Sequence, residues 1–170
     1  MNRTDKILNK NGKIVADSST IIYLEKIGML KKYAAFKKLL VPKPILNELI
    51  QKKTETNYRK LTEILWYDTT DTMAAKFLPL TYPDCLLIDG YHRTRADGIL
   101  TDDGKICKYC KKKEIPYLNT PMCLFSLVVN QIIDRQEYRN KLREVYKIGR
   151  YSKAIEKFIE DITERYIDNV

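Results

Sequence analysis

The segment Ile14-Val15-Ala16-Asp17-Ser18-Ser19-Thr20 decides the fold, because an apolar run passes directly into an acid and three hydroxyl residues. The run from Lys13 to Ala16 has the composition of a short buried strand. Ser18, Ser19 and Thr20 are residue types that begin helices. The segment therefore predicts a strand that turns into a helix, with the Asp17 carboxylate at the carboxyl end of the strand.

Similar units follow along the chain, each pairing an apolar run with an acid. Gly98–Thr101 is predicted to be a strand that leads into Asp102 and Asp103. Leu39–Val41 is predicted to be another buried strand, and Pro44 opens the helix that carries Glu48. The order of these units, strand then helix, favours parallel pairing of the strands.

Three further segments complete the predicted sheet and its helices. Asp84 follows Pro83 at the beginning of an apolar helix, where a carboxylate interacts favourably with the helix dipole. Ile115–Leu118 is the last strand, and its proline places it at an edge of the sheet. Leu61–Tyr67 fits either a strand or a helix, Asp68–Asp71 a loop, and Thr72–Phe77 a helix.

The predicted fold class is α/β, a three-layer α/β/α arrangement with a central parallel sheet and a C-terminal helical extension. We expect a first domain over residues 1–124 and the extension over residues 125–170. Within the extension, Tyr138–Ile148 and Tyr151–Ile167 show helical spacing of apolar residues. A helical hairpin is the simplest arrangement of these two segments.

Composition limits the classes of protein that the chain can belong to. Its 170 residues are 44% hydrophobic, which suits a folded domain with a proper core. No apolar run approaches the roughly 20 residues that cross a bilayer, and the polar N-terminus lacks a signal-peptide core. We therefore expect a soluble cytoplasmic protein without membrane contact. The formal charge of +9 favours a polyanionic partner, most simply nucleic acid.

Acids that gather at the carboxyl ends of strands predict a metal site. Carboxylates at one edge of a sheet repel one another, and a hard divalent cation such as Mg²⁺ or Mn²⁺ offsets that repulsion. Such an ion activates water for attack on a phosphodiester. Each acid also has a purely structural explanation: a helix cap for Asp17 and Asp84, a dipole partner for Glu48, and an ordinary turn for Asp102-Asp103-Gly104. The metal prediction depends on their order and spacing together.

The cysteines offer a weaker alternative. Cys107 and Cys110 have the C-x-x-C spacing of zinc or redox motifs, but no second pair accompanies them and His92 is the only histidine. We expect reduced cysteines packed as small apolar residues, with zinc, redox chemistry or a disulfide as minor alternatives.

The ordered acidic set resembles the PIN-domain family of metal-dependent nucleases, over roughly Ile14 to Leu124. The motifs that carry the resemblance are Asp17-Ser18-Ser19 after the first strand, Val41-Pro42 followed by Glu48, Asp84 opening an apolar helix, Leu100-Thr101-Asp102-Asp103, and Ile115-Pro116-Tyr117-Leu118-Asn119-Thr120. The helical extension is similar to that of a prokaryotic, toxin-like subgroup.

The resemblance implies Mg²⁺ or Mn²⁺ held by Asp17, Glu48, Asp84 and either Asp102 or Asp103. It implies supporting roles for Ser18, Ser19 and Thr101 around the metal. It further implies hydrolysis of RNA, by the toxin of a toxin–antitoxin pair or by an RNA-processing nuclease. The implied partners are RNA, an antitoxin protein and a second copy of the chain. A non-catalytic RNA- or protein-binding module and a phosphatase or DNA nuclease are the competing hypotheses.

Overall fold

The computed structural model describes residues 7–8, 11–51, 56–65 and 80–168. Its strands are β1 (Lys13–Ala16), β2 (Lys38–Pro42), β3 (Thr62–Leu65), β4 (Gly98–Leu100) and β5 (Tyr117–Leu118). The helices of this part of the chain are α1 (Ser18–Lys26), α2 (Leu30–Phe36), α3 (Lys43–Gln51), α4 (Tyr58–Leu61), α5 (Tyr82–Thr94), α6 (Gly104–Lys112), α7 (Thr120–Val129), α8 (Arg135–Ile148) and α9 (Lys153–Thr163). A π-helical turn over Glu164–Asp168 continues α9.

The five strands form one parallel sheet in the order β3-β2-β1-β4-β5. The chain runs outward from β1 to β3 and then returns to place β4 on the other side of β1. Ala16 of β1 stands opposite Leu100 of β4, so the two strands end at the same level. The crevice at the carboxyl ends of β1 and β4 is the topological switch point, where open α/β sheets bind ligands.

Helices cover both faces of this sheet. Parallel crossovers are right-handed, so the helices between β1 and β3 lie on one face, and α5 and α6 lie on the other. α5 packs against β1, β2 and β4, whereas α7 packs against α1 and α2. Ile14, Val15 and Ala16 are fully buried, as expected for a central strand covered on both faces. The predicted three-layer α/β/α fold is confirmed.

Most predicted elements lie where expected. Gly28 adopts a φ of 71° just after α1, which ends that helix before α2 begins. Tyr117–Leu118 is an edge strand, as its neighbouring proline indicated. Of the undecided stretch after residue 60, Leu61 ends α4 and Thr62–Leu65 is β3. The loop and helix predicted over residues 68–77 lie outside the described residues.

The C-terminal helices pack against the rest of the chain through α7. α8 contacts α7, and Tyr138 and Val145 of α8 are fully buried. The Tyr138 hydroxyl lies 2.8 Å from Oγ1 of Thr163 and ties α8 to α9. The boundary proposed between residues 124 and 125 falls inside α7, and the division into two domains stays a prediction. No described helix has the length and apolar character that crossing a membrane requires.

Candidate metal centre

The loops that leave β1 and β4 are joined at the switch point. The backbone N–H of Asp17 donates to the carbonyl of Leu100 at 2.9 Å, which extends the ladder between the strands by one bond. The next residues on the β4 side are Thr101, Asp102 and Asp103. The acids predicted from two distant segments therefore lie in adjacent loops.

Asp17 is held by the hydroxyl residues around it. Its Oδ1 accepts a hydrogen bond from the backbone N–H of Ser18 at 2.7 Å, so the residue caps α1. Its Oδ2 accepts from Ser19 Oγ at 2.6 Å and from Thr101 Oγ1 at 3.3 Å. Ser18, Ser19 and Thr101, predicted to support the metal site, thus fix the orientation of the Asp17 carboxylate.

The Asp17 carboxylate carries an electrostatic cost. Burial raises its pKa; the hydrogen bonds from Ser19, Ser18 and Thr101 oppose that shift, and the Asp103 carboxylate adds to it. In the part of the chain that is described, no lysine or arginine forms an ion pair with Asp17. A half-buried acid without a cationic partner is an unfavourable arrangement that a bound cation would relieve.

Asp102 is saturated by hydrogen bonds from the protein. Its Oδ1 accepts from the Thr120 backbone N–H at 3.1 Å and from the Tyr151 hydroxyl at 2.7 Å. Its Oδ2 accepts from the hydroxyls of Thr20 at 2.8 Å and Thr120 at 2.5 Å. A carboxylate has about four acceptor positions, and these four donors fill them. Asp102 therefore ties β4 to α1, α7 and the C-terminal extension.

Asp103 has a different set of contacts. Its Oδ1 accepts from the backbone N–H groups of Lys105 at 2.6 Å and Ile106 at 3.2 Å, which makes it the N-cap of α6. No described residue donates to its Oδ2. Of the two acids after β4, Asp103 therefore keeps an oxygen available for a ligand, whereas Asp102 does not.

Asp84 and Glu48 lie on helices that begin at the same edge of the sheet. Asp84 is in the first turn of α5, and its Oδ2 accepts from the Thr81 backbone N–H at 3.2 Å. Glu48 is exposed in the second turn of α3, which follows β2 directly. Asp17 and Asp84 thus each make the capping contact that the structural alternative predicted, and Asp103 caps a helix where that alternative predicted an ordinary turn. The metal-binding roles of Asp84 and Glu48 stay predictions.

Three residues of the site network were not singled out from the sequence. The sequence assigns Thr20 only to the start of a helix, Thr120 only to the end of the last strand, and Tyr151 only to a helical segment. Thr20 and Thr120 carried a local signal, since both are hydroxyl residues at the carboxyl ends of predicted strands. Tyr151 carried none, because it lies 49 residues beyond Asp102 in the chain.

The cysteines remain thiols. All four are free, and Cys107 donates a weak hydrogen bond to the Thr101 carbonyl at a sulfur–oxygen distance of 3.7 Å. Burial, followed by the charges of Asp102, Asp103 and Asp17, raises the pKa of Cys107 to about 12. A thiol of this kind is a poor metal ligand and a poor nucleophile at neutral pH.

The donor set at the switch point suits a hard cation. Over the described ranges, no three His, Cys, Asp or Glu side chains are grouped closely enough to hold a metal ion by themselves. Mg²⁺ does not need such a cage, because it commonly binds through one or two carboxylates together with water and substrate phosphate. Asp17 and Asp103 supply two carboxylates with the free capacity that this mode requires.

Comparisons with known proteins agree with the fold. A family model for DUF3368, a PIN domain, matches residues 13–164. A solved structure of a PilT N-terminus domain protein from the hyperthermophilic archaeon Sulfolobus solfataricus P2 is similar, with a TM-score of 0.51 and 11% identity over 68% of this chain and 93% of that chain. At this identity the likeness shows the fold alone. No protein of curated function matched the chain. Because the family model spans most of the sequence, the chain belongs to the PIN-domain family.

Proposed function

We propose that the protein is a Mg²⁺- or Mn²⁺-dependent endoribonuclease that hydrolyses phosphodiester bonds of RNA. The observation that carries this proposal is the pair of carboxylates, Asp17 and Asp103, at the switch point of a PIN-domain sheet. PIN domains are generally nucleases, and the positive charge of the chain suits an RNA substrate. In this proposal Asp17 and Asp103 hold the ion, and Asp84 and Glu48 contribute from the surrounding helices.

The metal would supply Lewis-acid activation of water and would offset negative charge at the scissile phosphate. The chain's own residues prepare the position for that chemistry. Ser19 and Thr101 orient the Asp17 carboxylate through its Oδ2. The Ser19 hydroxyl also accepts from the Asp102 backbone N–H at 3.2 Å, which holds the two loops together. Fixed carboxylates need little reorganisation when the substrate arrives.

The biological setting is part of the proposal. An RNA-processing enzyme and the toxin of a toxin–antitoxin pair both require this chemistry. An antitoxin protein and a homodimer are the partners that we propose, on the strength of the resemblance to toxin-like PIN domains. A panel of RNA, DNA and phosphate-monoester substrates separates the ribonuclease from a DNA nuclease or a phosphatase that uses the same carboxylates.

A non-catalytic RNA-binding module is the second candidate. It is favoured by the network around Asp102, which uses one of the predicted site acids entirely for structure. It is also favoured by the absence of a group of three metal-binding side chains in the described ranges. Such a module would bind RNA in a salt-sensitive manner and release no product with any divalent ion.

The experiment compares cleavage of labelled single-stranded RNA by the wild-type protein and by Asp17→Asn in Mn²⁺, in Mg²⁺ and in EDTA. We expect cleavage only with a divalent ion, and a loss of at least about 100-fold in Asp17→Asn, since even residues behind a metal ligand cost 10- to 100-fold. Asp161→Asn, an exposed acid on α9, is the matched control and should retain full activity. Equal cleavage by Asp17→Asn and Asp161→Asn would reject the proposed site.

A further inference from the structure

The lysines of α6 form a surface that the metal centre does not explain. Four lysines lie within this nine-residue helix, and Lys113 is its C-cap residue. Ile106 and Cys110 face the core, whereas Lys105, Lys108, Lys111, Lys112 and Lys113 are exposed. No acid occurs between Gly104 and Lys113. One whole side of α6 is therefore cationic.

These lysines differ from several cations of the C-terminal helices. There, three of the seven basic residues on α8 and α9 form ion pairs with acids: Arg139 with Asp168, Lys141 with Glu144, and Lys153 with Glu156. None of the α6 lysines has a carboxylate within ion-pair distance among the described residues. The positive charge of α6 is thus left available for an external anion.

Helix stability does not account for the whole pattern. Lysines in the last turn interact favourably with the helix dipole, which explains Lys111 and Lys112. Lys105 lies in the first turn, where the dipole disfavours a cation. Lys105, Lys108 and Lys112 are spaced so that they share one side of the helix, over about 10 Å at a rise of 1.5 Å per residue. The row of lysines begins at the N-terminus of the helix, where a cation is unfavourable, and we take this as an indication of an anionic ligand.

The row begins at the metal centre. Asp103, the N-cap of α6, is two residues before Lys105. α5 lies on the same face of the sheet as α6. Burial, followed by the charge of Cys85 in the first turn of α5, raises the pKa of Tyr109 in the middle of α6. Tyr82, the first residue of α5, has 48% of its surface exposed. Exposed aromatic rings and cations are together the side chains that bind single-stranded nucleic acid, by base stacking and by phosphate contact.

We propose that Lys105, Lys108 and Lys112 form a track for the phosphates of single-stranded RNA that lead away from the scissile bond. This inference rests on the proposed function, since it takes RNA as the substrate. The inference adds the direction in which the RNA leaves the metal centre. The RNA runs along α6, and not over the edge of the sheet towards β3. The track binds the strand without reading its sequence, because lysines contact phosphates as point charges.

The test measures binding rather than cleavage, so that its result stands apart from the catalytic proposal. A fluorescein-labelled single-stranded RNA of about 12 nucleotides is titrated in EDTA, over a series of salt concentrations, and Kd is read from anisotropy. The variant is Lys105→Gln/Lys108→Gln/Lys112→Gln. The matched control, Lys26→Gln/Lys147→Gln/Lys157→Gln, removes equal charge from exposed lysines elsewhere. Circular dichroism checks that both variants are folded.

We expect the α6 variant to bind at least about tenfold more weakly than the control. Each lost phosphate contact also reduces the slope of log K against log salt by about 0.7 for a single strand, so the slope should fall by about 2. If the two variants lose RNA affinity equally, or if the wild-type protein does not bind RNA, the proposed phosphate track on α6 is rejected. If binding is lost as expected and cleavage is never observed, the track stands and the catalytic proposal fails.

Discussion

At the scale of single residues, two neighbouring acids contribute to the protein in opposite ways. Asp17 is half-buried near the Asp103 carboxylate and has no basic partner among the described residues, so its charge opposes folding of the metal-free protein. Asp102 accepts four hydrogen bonds, and its charge strengthens each of them. This contrast separates the acid that we propose as a metal ligand, Asp17, from the acid whose contacts are structural, Asp102.

Asp17→Asn is expected to stabilise the metal-free protein at neutral pH. The pKa of Asp17 is raised on folding, so its contribution to stability is present at low pH and is lost as pH rises through the folded-state pKa. Asparagine caps a helix equally well and carries no charge, and the Ser19 and Thr101 hydroxyls can rotate to accept from its amide nitrogen. The variant should show the higher Tm at pH 7 in EDTA, and the difference should vanish below the usual aspartate pKa of about 4. A lower Tm of the variant at pH 7 would contradict this account.

The opposite result is expected for Asp102→Asn. The uncharged amide loses the charge that strengthens four hydrogen bonds, and its nitrogen faces the hydroxyls of Thr20 and Thr120, which donate to Oδ2 in the wild-type protein. We expect the free energy of unfolding to fall by about 2 kcal/mol, as for loss of a hydrogen bond to a charged group. Urea denaturation measures the change, with Asp161→Asn as a surface control that should stay within about 0.5 kcal/mol. An unchanged midpoint in Asp102→Asn would show that the network adds no stability.

The sequence could locate these acids but could not divide their roles. Asp102 and Asp103 both follow β4, so strand position predicts equal access to the switch point. The difference comes from packing: α7 and the segment after α8 bring donors to Asp102 from far along the chain. Only residues local to an acid, such as Ser18 and Ser19 beside Asp17, could be assigned to the site in advance.

At the scale of elements, the C-terminal extension is connected to the candidate metal centre through Tyr151, in the link between α8 and α9. Its hydroxyl donates to Asp102, and its ring packs against Tyr146 with 5.7 Å between centroids. Burial, followed by the Asp102 charge, raises the pKa of Tyr151, so the hydroxyl keeps its proton. The extension thereby helps to fix the loop that presents Asp103.

Tyr151→Phe tests this connection. The ring remains and the donor is lost, so we expect the free energy of unfolding to fall by about 2 kcal/mol. If Tyr151 also positions the loop, Mn²⁺ affinity should weaken by about tenfold or more, as for other residues behind a metal ligand. Isothermal titration calorimetry with Mn²⁺ measures this affinity separately from the change in the free energy of unfolding. Tyr166→Phe, on an exposed tyrosine, should change neither quantity. Unaltered Mn²⁺ affinity in Tyr151→Phe would make its role purely structural.

The elements that the sequence predicted best are those with a strong local pattern. β1 and β4 are short apolar runs that end at acids, and α6 alternates core and lysine positions at helical spacing. The sequence alone does not decide whether the stretch around β3 is a strand or a helix, because a short apolar run fits both equally well. Pairing with β2 decides it, and that contact joins residues distant in sequence.

At the scale of the whole molecule, topology determines what the acids can do. Strand order β3-β2-β1-β4-β5 places the reversal of the chain between β1 and β4. The same acids in a sheet without that reversal would have no crevice between their loops. The proposed track on α6 leads out of this crevice, while three cations of α8 and α9 are paired with acids on the same helices or on the turn after α9.

The central claim is that Asp17 and Asp103 jointly bind a divalent cation, and a crystal soaked in Mn²⁺ tests it most directly. The anomalous difference map should show one strong peak within about 2.5 Å of a carboxylate oxygen of each residue, with Asp102 still bonded to Thr120 and Tyr151. The peak should be absent from Asp17→Asn crystals that received the same soak. A map without a peak at the switch point, or an ion bound by Asp102 in place of Asp103, would contradict the claim.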